Sequence, residues 1–165
     1  MTFEIHDRVV HPSHGIGTVV RLATRQFDAG ATRLYYEIAL SKGTIWVPAE
    51  GDAGGLRRLT AKGDLARYRS LLSSRPAALA ADHRQRQLEV SERLKGGTLR
   101  ARCEVIRDLT AHGWHKPLCQ SSAVLLRKAR EALGEEWAAA AEVPVHEVAR
   151  QVQALLLEGR RAFEN

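Results

Sequence analysis

Residues 9–22 read "VVHPSHGIGTVVRL", two strand-like apolar runs broken by a proline, two glycines and two histidines. Three readings compete for the interruption. His11 and His14 could be metal ligands, Gly15–Ile16–Gly17 could cradle a phosphate, or the piece could be a tight corner between strands. A phosphate loop needs more glycines, a Lys–Ser/Thr pair and a following helix; here the chain runs straight into "TVVRL". A structural zinc site takes four nitrogen or sulfur ligands, and neither histidine has a cysteine or carboxylate nearby at ligand spacing. The corner remains. Pro12 fixes a turn, Gly15 and Gly17 let the chain double back, and the two histidines read as support for that corner.

Outward from this corner, the signals stay β to residue 59. "RLYYEIAL" alternates, with Leu34, Tyr36, Ile38 and Leu40 on one face and Arg33, Tyr35 and Glu37 on the other. "GTVVRLATRQF" and "GTIWVP" are also strand-like, with Gly30, Gly43 and Gly51 as punctuation. Short strands closing on one another predict a small barrel over 1–59. "GDAGGLRRL" (51–59) is a glycine-rich hinge. From Thr60 the period is helical, and 60–165 is expected to form a compact all-α domain of about five helices. The first carries Leu65, Tyr68 and Leu72 and stops at "SSRP". A second is expected from about Leu79 to the glycines 96–97. Thr98 caps a third with Leu99, Cys103, Ile106 and Leu109 inward, and "HGWHKP" (112–117) reads as a loop. A long fourth helix presents Leu126, Ala129, Leu133, Trp137 and Ala140. Pro144 suits the first turn of a fifth with a stripe of Val145, Val148, Val152 and Leu155.

The chain has 165 residues, 44% of them apolar, and a net charge of +6. That supports a buried core and excludes wholesale disorder. No run of eighteen apolar residues occurs, and "MTFEIHDR" lacks a basic-then-apolar pattern, so neither a membrane span nor a secretory signal is expected. Two cysteines make no disulfide framework, and a reducing cytoplasm is the simplest setting. Residues 1–60 hold seven Lys/Arg against six Asp/Glu, and 61–165 hold eighteen against thirteen. Between Arg84 and Arg107 lie seven basic residues and three acids. That cluster is either a solvated helical surface or a face for phosphates.

Catalytic chemistry finds no foothold. No "GxSxG" or "HExxH" occurs, and no paired carboxylates stand in a pocket-like context. Cys103, His112, His115 and Cys119 have no recognised metal spacing, and Cys103 lies on an apolar helix stripe where a buried thiol is ordinary. No enzyme activity, metal or cofactor is expected. Binding is the remaining class. Small β-barrels present edge strands that partners extend. Arg25 and Phe27, two apart, point the same way, as either a basic–aromatic anchor or a solvated arginine beside a core ring.

"FEIHDRVVHPSHGIGTVVRLATRQFDAG", then "YYEIAL", "VPAE" and "GLRRL", closely resembles the amino-terminal domain of the CarD/CdnL family of bacterial RNA polymerase-binding transcription factors. A related domain occurs in the transcription-repair coupling factor. "RLKGG", "EVIRDL" and "LLRKAREAL" extend the resemblance over nearly the whole chain. It implies an α+β, two-domain protein: a Tudor-like β-barrel over 1–59 that docks on the β-subunit lobe of RNA polymerase, and a helical DNA-binding domain over 60–165. The helical domain would lie on promoter DNA at the upstream edge of the melted region, through backbone and minor groove without sequence specificity, and tune open-complex stability. A cytoplasmic, nucleoid-associated monomer is expected.

Residue by residue, Arg25 matches a polymerase-contacting arginine of the family and Phe27 a neighbouring apolar contact. Trp46 stands where the family has another polymerase-contacting arginine; a planar aromatic can still pack against the polymerase there, but it cannot supply the charge or the fork. His83 falls at the position of the family's minor-groove tryptophan wedge, a role that favours large apolar side chains. Histidine can stack or hydrogen-bond there as a weaker wedge, and Trp114 is either a substitute wedge or, the favoured reading, a core plug. Arg84, Arg86, Arg93 and Lys95 are the expected phosphate contacts, positioning the protein without reading bases. The departures at Trp46 and His83 leave an alternative, a polymerase-binding adaptor that lacks the wedge and modulates access of other factors.

Overall fold

A computed structural model describes residues 2–27 and 30–164. The chain forms two compact units, residues 1–59 and 60–165. The expected fold class is the observed one: an antiparallel five-stranded sheet followed by five helices.

The strands are β1 (Arg8–His11), β2 (Gly15–Arg25), β3 (Arg33–Leu40), β4 (Gly43–Pro48) and β5 (Arg57–Arg58). They are ordered β4-β3-β2-β1-β5, so β4 and β5 are the edges. Val9, Val19, Tyr36, Ile38 and Val47 converge with Phe3, Ala53 and Leu56 in one core. The corner that interrupts residues 9–22 works as the sequence reading expects. Gly15 sits at φ +78°, and a Cβ on Gly17 would lie 2.5 Å from Ile38 Cγ2. One glycine is there for its backbone angle and the other for a close approach. His11 Nδ1 accepts the backbone N–H groups of Ser13 (3.0 Å) and His14 (3.2 Å), which braces the turn.

One feature of β2 escapes any pattern reading. The ladder to β3 is regular up to Val19–Ile38, shifts across Val20, and resumes at Arg21–Glu37. A bulge adds one residue to one strand and so exchanges its two faces beyond that point. Val19 is therefore inward, but Arg21, Ala23 and Arg25 are outward, opposite Glu37, Tyr35 and Arg33.

The helices are α1 (Leu65–Leu72), α2 (His83–Lys95), α3 (Leu99–His115), α4 (Gln120–Ala141) and α5 (Val145–Phe163). Trp137, Leu133, Ile106, Cys103, Leu72 and Val148 lie in the main core. Val90, Val105 and Leu109 form a second cluster that seats α2 on α3. Thr60 starts the unit by donating its N–H and hydroxyl to the buried carboxylate of Glu136 on α4.

Several boundaries differ from the sequence expectation. α2 begins at His83 rather than near Leu79, because Asp82 caps it through the Gln85 N–H (2.9 Å). Leu79 packs against the second cluster from the segment before the helix. The expected loop 112–117 is helical as far as His115, since Gly113 is tolerated inside α3 against Leu118. The helix stops just before Pro117, where the preceding Lys116 is extended. Pro144 caps α5 rather than entering it, and Val145 is 50% exposed.

Candidate functional site

On the β unit, the bulge and the ladders assemble one outward face in rows. Arg21, Glu37 and Trp46 are cross-strand neighbours, as are Ala23, Tyr35 and Pro48, and Arg25 stands opposite Arg33. Arg21 Nε donates to Glu37 Oε2 at 2.8 Å. The Arg25 guanidinium lies 4.7 Å from the centre of the Trp46 ring, within cation–π range. Phe27 continues beyond the end of β2. Its ring meets Tyr35 edge-on at 4.9 Å and Trp46 at 6.0 Å, and it is 59% exposed. Phe27 is thus a surface aromatic and no part of the β core. Phe27, Tyr35 and Trp46 wall a cleft of about 340 Å³ with His11 and His14. Arg25 and Arg33 are like charges placed opposite each other, an arrangement that destabilises a bare sheet and is relieved by an incoming anion. β4, which carries Trp46, is an edge strand with unpaired backbone groups.

On the helical unit, α2 divides its basic residues between two tasks. Arg86 is buried and donates from Nη1 to the carbonyls of Ala80 (3.0 Å) and Ala81 (3.1 Å), holding the chain that leads into the helix. Arg93 reaches Asp108 Oδ2 at 3.1 Å and Glu104 Oε2 at 3.4 Å. Asp108, whose side chain is fully buried, also accepts from Arg107 Nε (2.8 Å) and the Ala77 N–H (2.9 Å). Arg86 and Arg93 therefore fasten α2 to its own domain, whereas the sequence reading turned them toward phosphate. Arg84 and Lys95 face solvent, Lys95 beside Glu92 at 3.4 Å.

His83 is exposed but has neighbours. Its Nδ1 lies 3.5 Å from Arg86 Nη2 and 3.5 Å from Cys119 Sγ. Gln87 bridges to the hydroxyls of Ser121 (2.6 Å) and Ser122 (3.2 Å) at the start of α4. Hydrogen bonds from Ser121 and Ser122 lower the Cys119 thiol to about 6, with a smaller contribution from His83. Burial raises the Cys103 thiol to about 12, making it an inert core group. Trp114 is half-buried at the end of α3, under the Arg160 guanidinium at 5.4 Å, and so is neither a core plug nor a loop side chain.

The sequence reading missed Leu88, which at 62% exposure is the most exposed large apolar residue described. It stands one turn after Arg84 and two turns before Lys95, on the same side of α2. The signal was the two-residue step from Leu88 to buried Val90, which puts them on different sides of a helix. Among the described residues no group of three or more His, Cys, Asp or Glu is arranged to hold a metal. No helix described is long and apolar enough to cross a membrane.

Residues 3–60 match the family model of the CarD-like/TRCF RID domain. Residues 68–153 match the model of the CarD C-terminal domain.

Proposed function

This chain belongs to the CarD-like family, regulators of transcription that bind RNA polymerase, and from that premise we propose that it acts at promoters through two separate faces. The outward face of β2, β3 and β4 docks on the β-subunit lobe of the polymerase. Arg25 supplies charge, Phe27 and Trp46 supply apolar contact, and the free edge of β4 offers backbone groups to a partner strand. Trp46 substitutes area and a stacking surface for the family's arginine, and it holds Arg25 in place from below.

The helical unit meets promoter DNA at the upstream edge of the bubble through the exposed side of α2. Arg84 and Lys95 reach phosphates, and Leu88 between them is the apolar group available to enter the minor groove. An inserted leucine replaces lost base stacking and stabilises a kink. DNA held in that shape at the edge of the bubble re-anneals more slowly, so open complexes live longer. No bond is made or broken by the factor. It works in the cytoplasm, as a monomer, wherever polymerase carries it.

The observation that carries this reading is the pairing of an exposed aromatic–arginine face on the β unit with a family match across both units. Arg25→Glu tests the first contact. It is expected to reduce affinity for the isolated β lobe at least tenfold while leaving the melting temperature unchanged. Unaltered affinity would remove Arg25 from the interface. Footprinting polymerase on a promoter, with and without the protein, tests the second. The adaptor reading rests on His83 being drawn toward Cys119 and Arg86; it expects no added protection upstream of the bubble.

A further inference from the structure

Away from α2, the C-terminal half of α1 and the start of α3 enclose a cleft of about 310 Å³, lined by Arg67, Tyr68, Ser70, Leu71, Ser74 and Arg100. We infer that this cleft binds a phosphate group. Its chemistry is one-sided. Arg67 is exposed and has no ion pair or hydrogen bond among the described residues. Arg100 gives its Nε to Glu104 at 3.2 Å, which leaves both terminal amino groups open. Glu104, the carboxylate at the rim, is already shared with Arg93. Two arginines line this one recess, and guanidinium forks match the geometry of phosphate oxygens.

The lining supports the same ligand. The hydroxyls of Tyr68 and Ser70 are without a partner in the described structure. A helix C-terminus ordinarily repels an anion through its free carbonyls. Here those of Arg69, Ser70 and Leu71 accept from Ser73 and Ser74, so that repulsion is damped. Ser74 Oγ in turn accepts from Arg107 Nη1 at 2.9 Å, which fixes the cleft's inner wall. Leu71 gives a short apolar floor. The volume suits one or two phosphate groups with part of what they are attached to. By contrast the cleft at the ends of α3 and α5 contains the carboxylates of Asp108 and Glu164 and has no such bias.

A phosphate can arrive on a nucleic-acid backbone or on a small phosphate ester, and one experiment separates the sources. The full-length chain is melted with sodium pyrophosphate and with sodium chloride at equal ionic strength. Pyrophosphate is expected to raise the melting temperature and chloride is not. The double variant Arg67→Ala/Arg100→Ala should melt like wild type alone, since both side chains are exposed, and should lose the pyrophosphate response. A short DNA duplex is then titrated onto both proteins. A tenfold or greater loss of duplex affinity in the double variant identifies the backbone as the source, whereas equal affinity identifies a small ester. No stabilisation beyond chloride, or an undiminished response in the double variant, overturns the site. Neither readout involves polymerase, so the outcome is separate from that of the promoter reading.

Discussion

Asp108→Ala removes the node on which the position of α2 depends. The carboxylate has no solvent exposure and accepts from Arg107, Arg93 and the Ala77 N–H. Arg107 is nearly as buried, with 11% of its side chain exposed, and would be left with Ser74 Oγ alone. Breaking a buried pair by deleting one partner costs about 3–5 kcal/mol, because the surviving charge stays desolvated. Arg93 is 30% exposed and can turn to water or to Glu104, so its share is small. The lower end of the range applies, about 3 kcal/mol. For a unit of this size that corresponds to about 12–20 °C in melting temperature. Far-UV circular dichroism of the whole chain reads it, and hydrogen exchange should show α2 amides losing protection first. The control is Arg100→Ala, which breaks an exposed pair with Glu104 and should cost less than about 0.5 kcal/mol. An Asp108→Ala protein within about 1 kcal/mol of wild type would refute the idea that this carboxylate organises the domain.

Deleting Val20 removes the bulge and makes Val19–Ile38 and Arg21–Glu37 consecutive pairs of a regular ladder, so Arg21, Ala23 and Arg25 should keep the outward face. Lobe affinity is expected to survive this deletion, unlike Arg25→Glu; a deletion variant that loses binding as far as Arg25→Glu while still folded would disprove the face assignment. Leu88→Ala should shorten open-complex lifetime about tenfold, the worth of one buried leucine, without lowering the melting temperature. A lifetime equal to wild type would show that Leu88 does not enter the groove. Burial, and then the charge of His14, lower the pKa of His11 below its ordinary value. The neutral ring is therefore the form the fold favours, so stability is complete above about pH 6.5 and declines as pH falls below it. Protonation also ends Nδ1 acceptance from Ser13 and His14. A β unit whose melting temperature is flat from pH 8 to 5 would contradict this.

Much of this architecture was legible because it depends on neighbours in the chain. The alternation of 33–40, the cap at Thr98 and the stripe of α4 are local chemistry, and they sit where the residues indicate. The family resemblance likewise rests on short local signatures, from the first corner through "VPAE" and "GLRRL" to "RLKGG" and "EVIRDL". What resisted reading depends on distant partners. The bulge at Val20 exists only against β3, so the outward direction of Arg25 follows from a pairing that the strand alone does not contain. Arg86 and Arg93 look like surface cations until Ala80, Ala81 and Asp108 are brought to them. The last turn of α3 has the composition of a loop in "HGWHKP", yet Leu118 packs against Gly113 and the helix ends only before Pro117.

If the helical unit meets DNA as proposed, the engagement of Arg86 and Arg93 with their own domain changes what salt should do to that contact. Each cation that neutralises a phosphate releases condensed counterions, and binding weakens with salt at a log–log slope of about −0.9 per contact. Four contacts from α2 would give about −3.6, so a fourfold rise in salt would weaken binding about 150-fold. Arg84 and Lys95 alone give about −1.8, and the same rise weakens it only about 12-fold. A protein with a net charge of +6 would thus grip DNA through this helix with the ionic sensitivity of a far less basic one. Its residence at promoters would then follow its tether to polymerase more closely than the ionic strength around it.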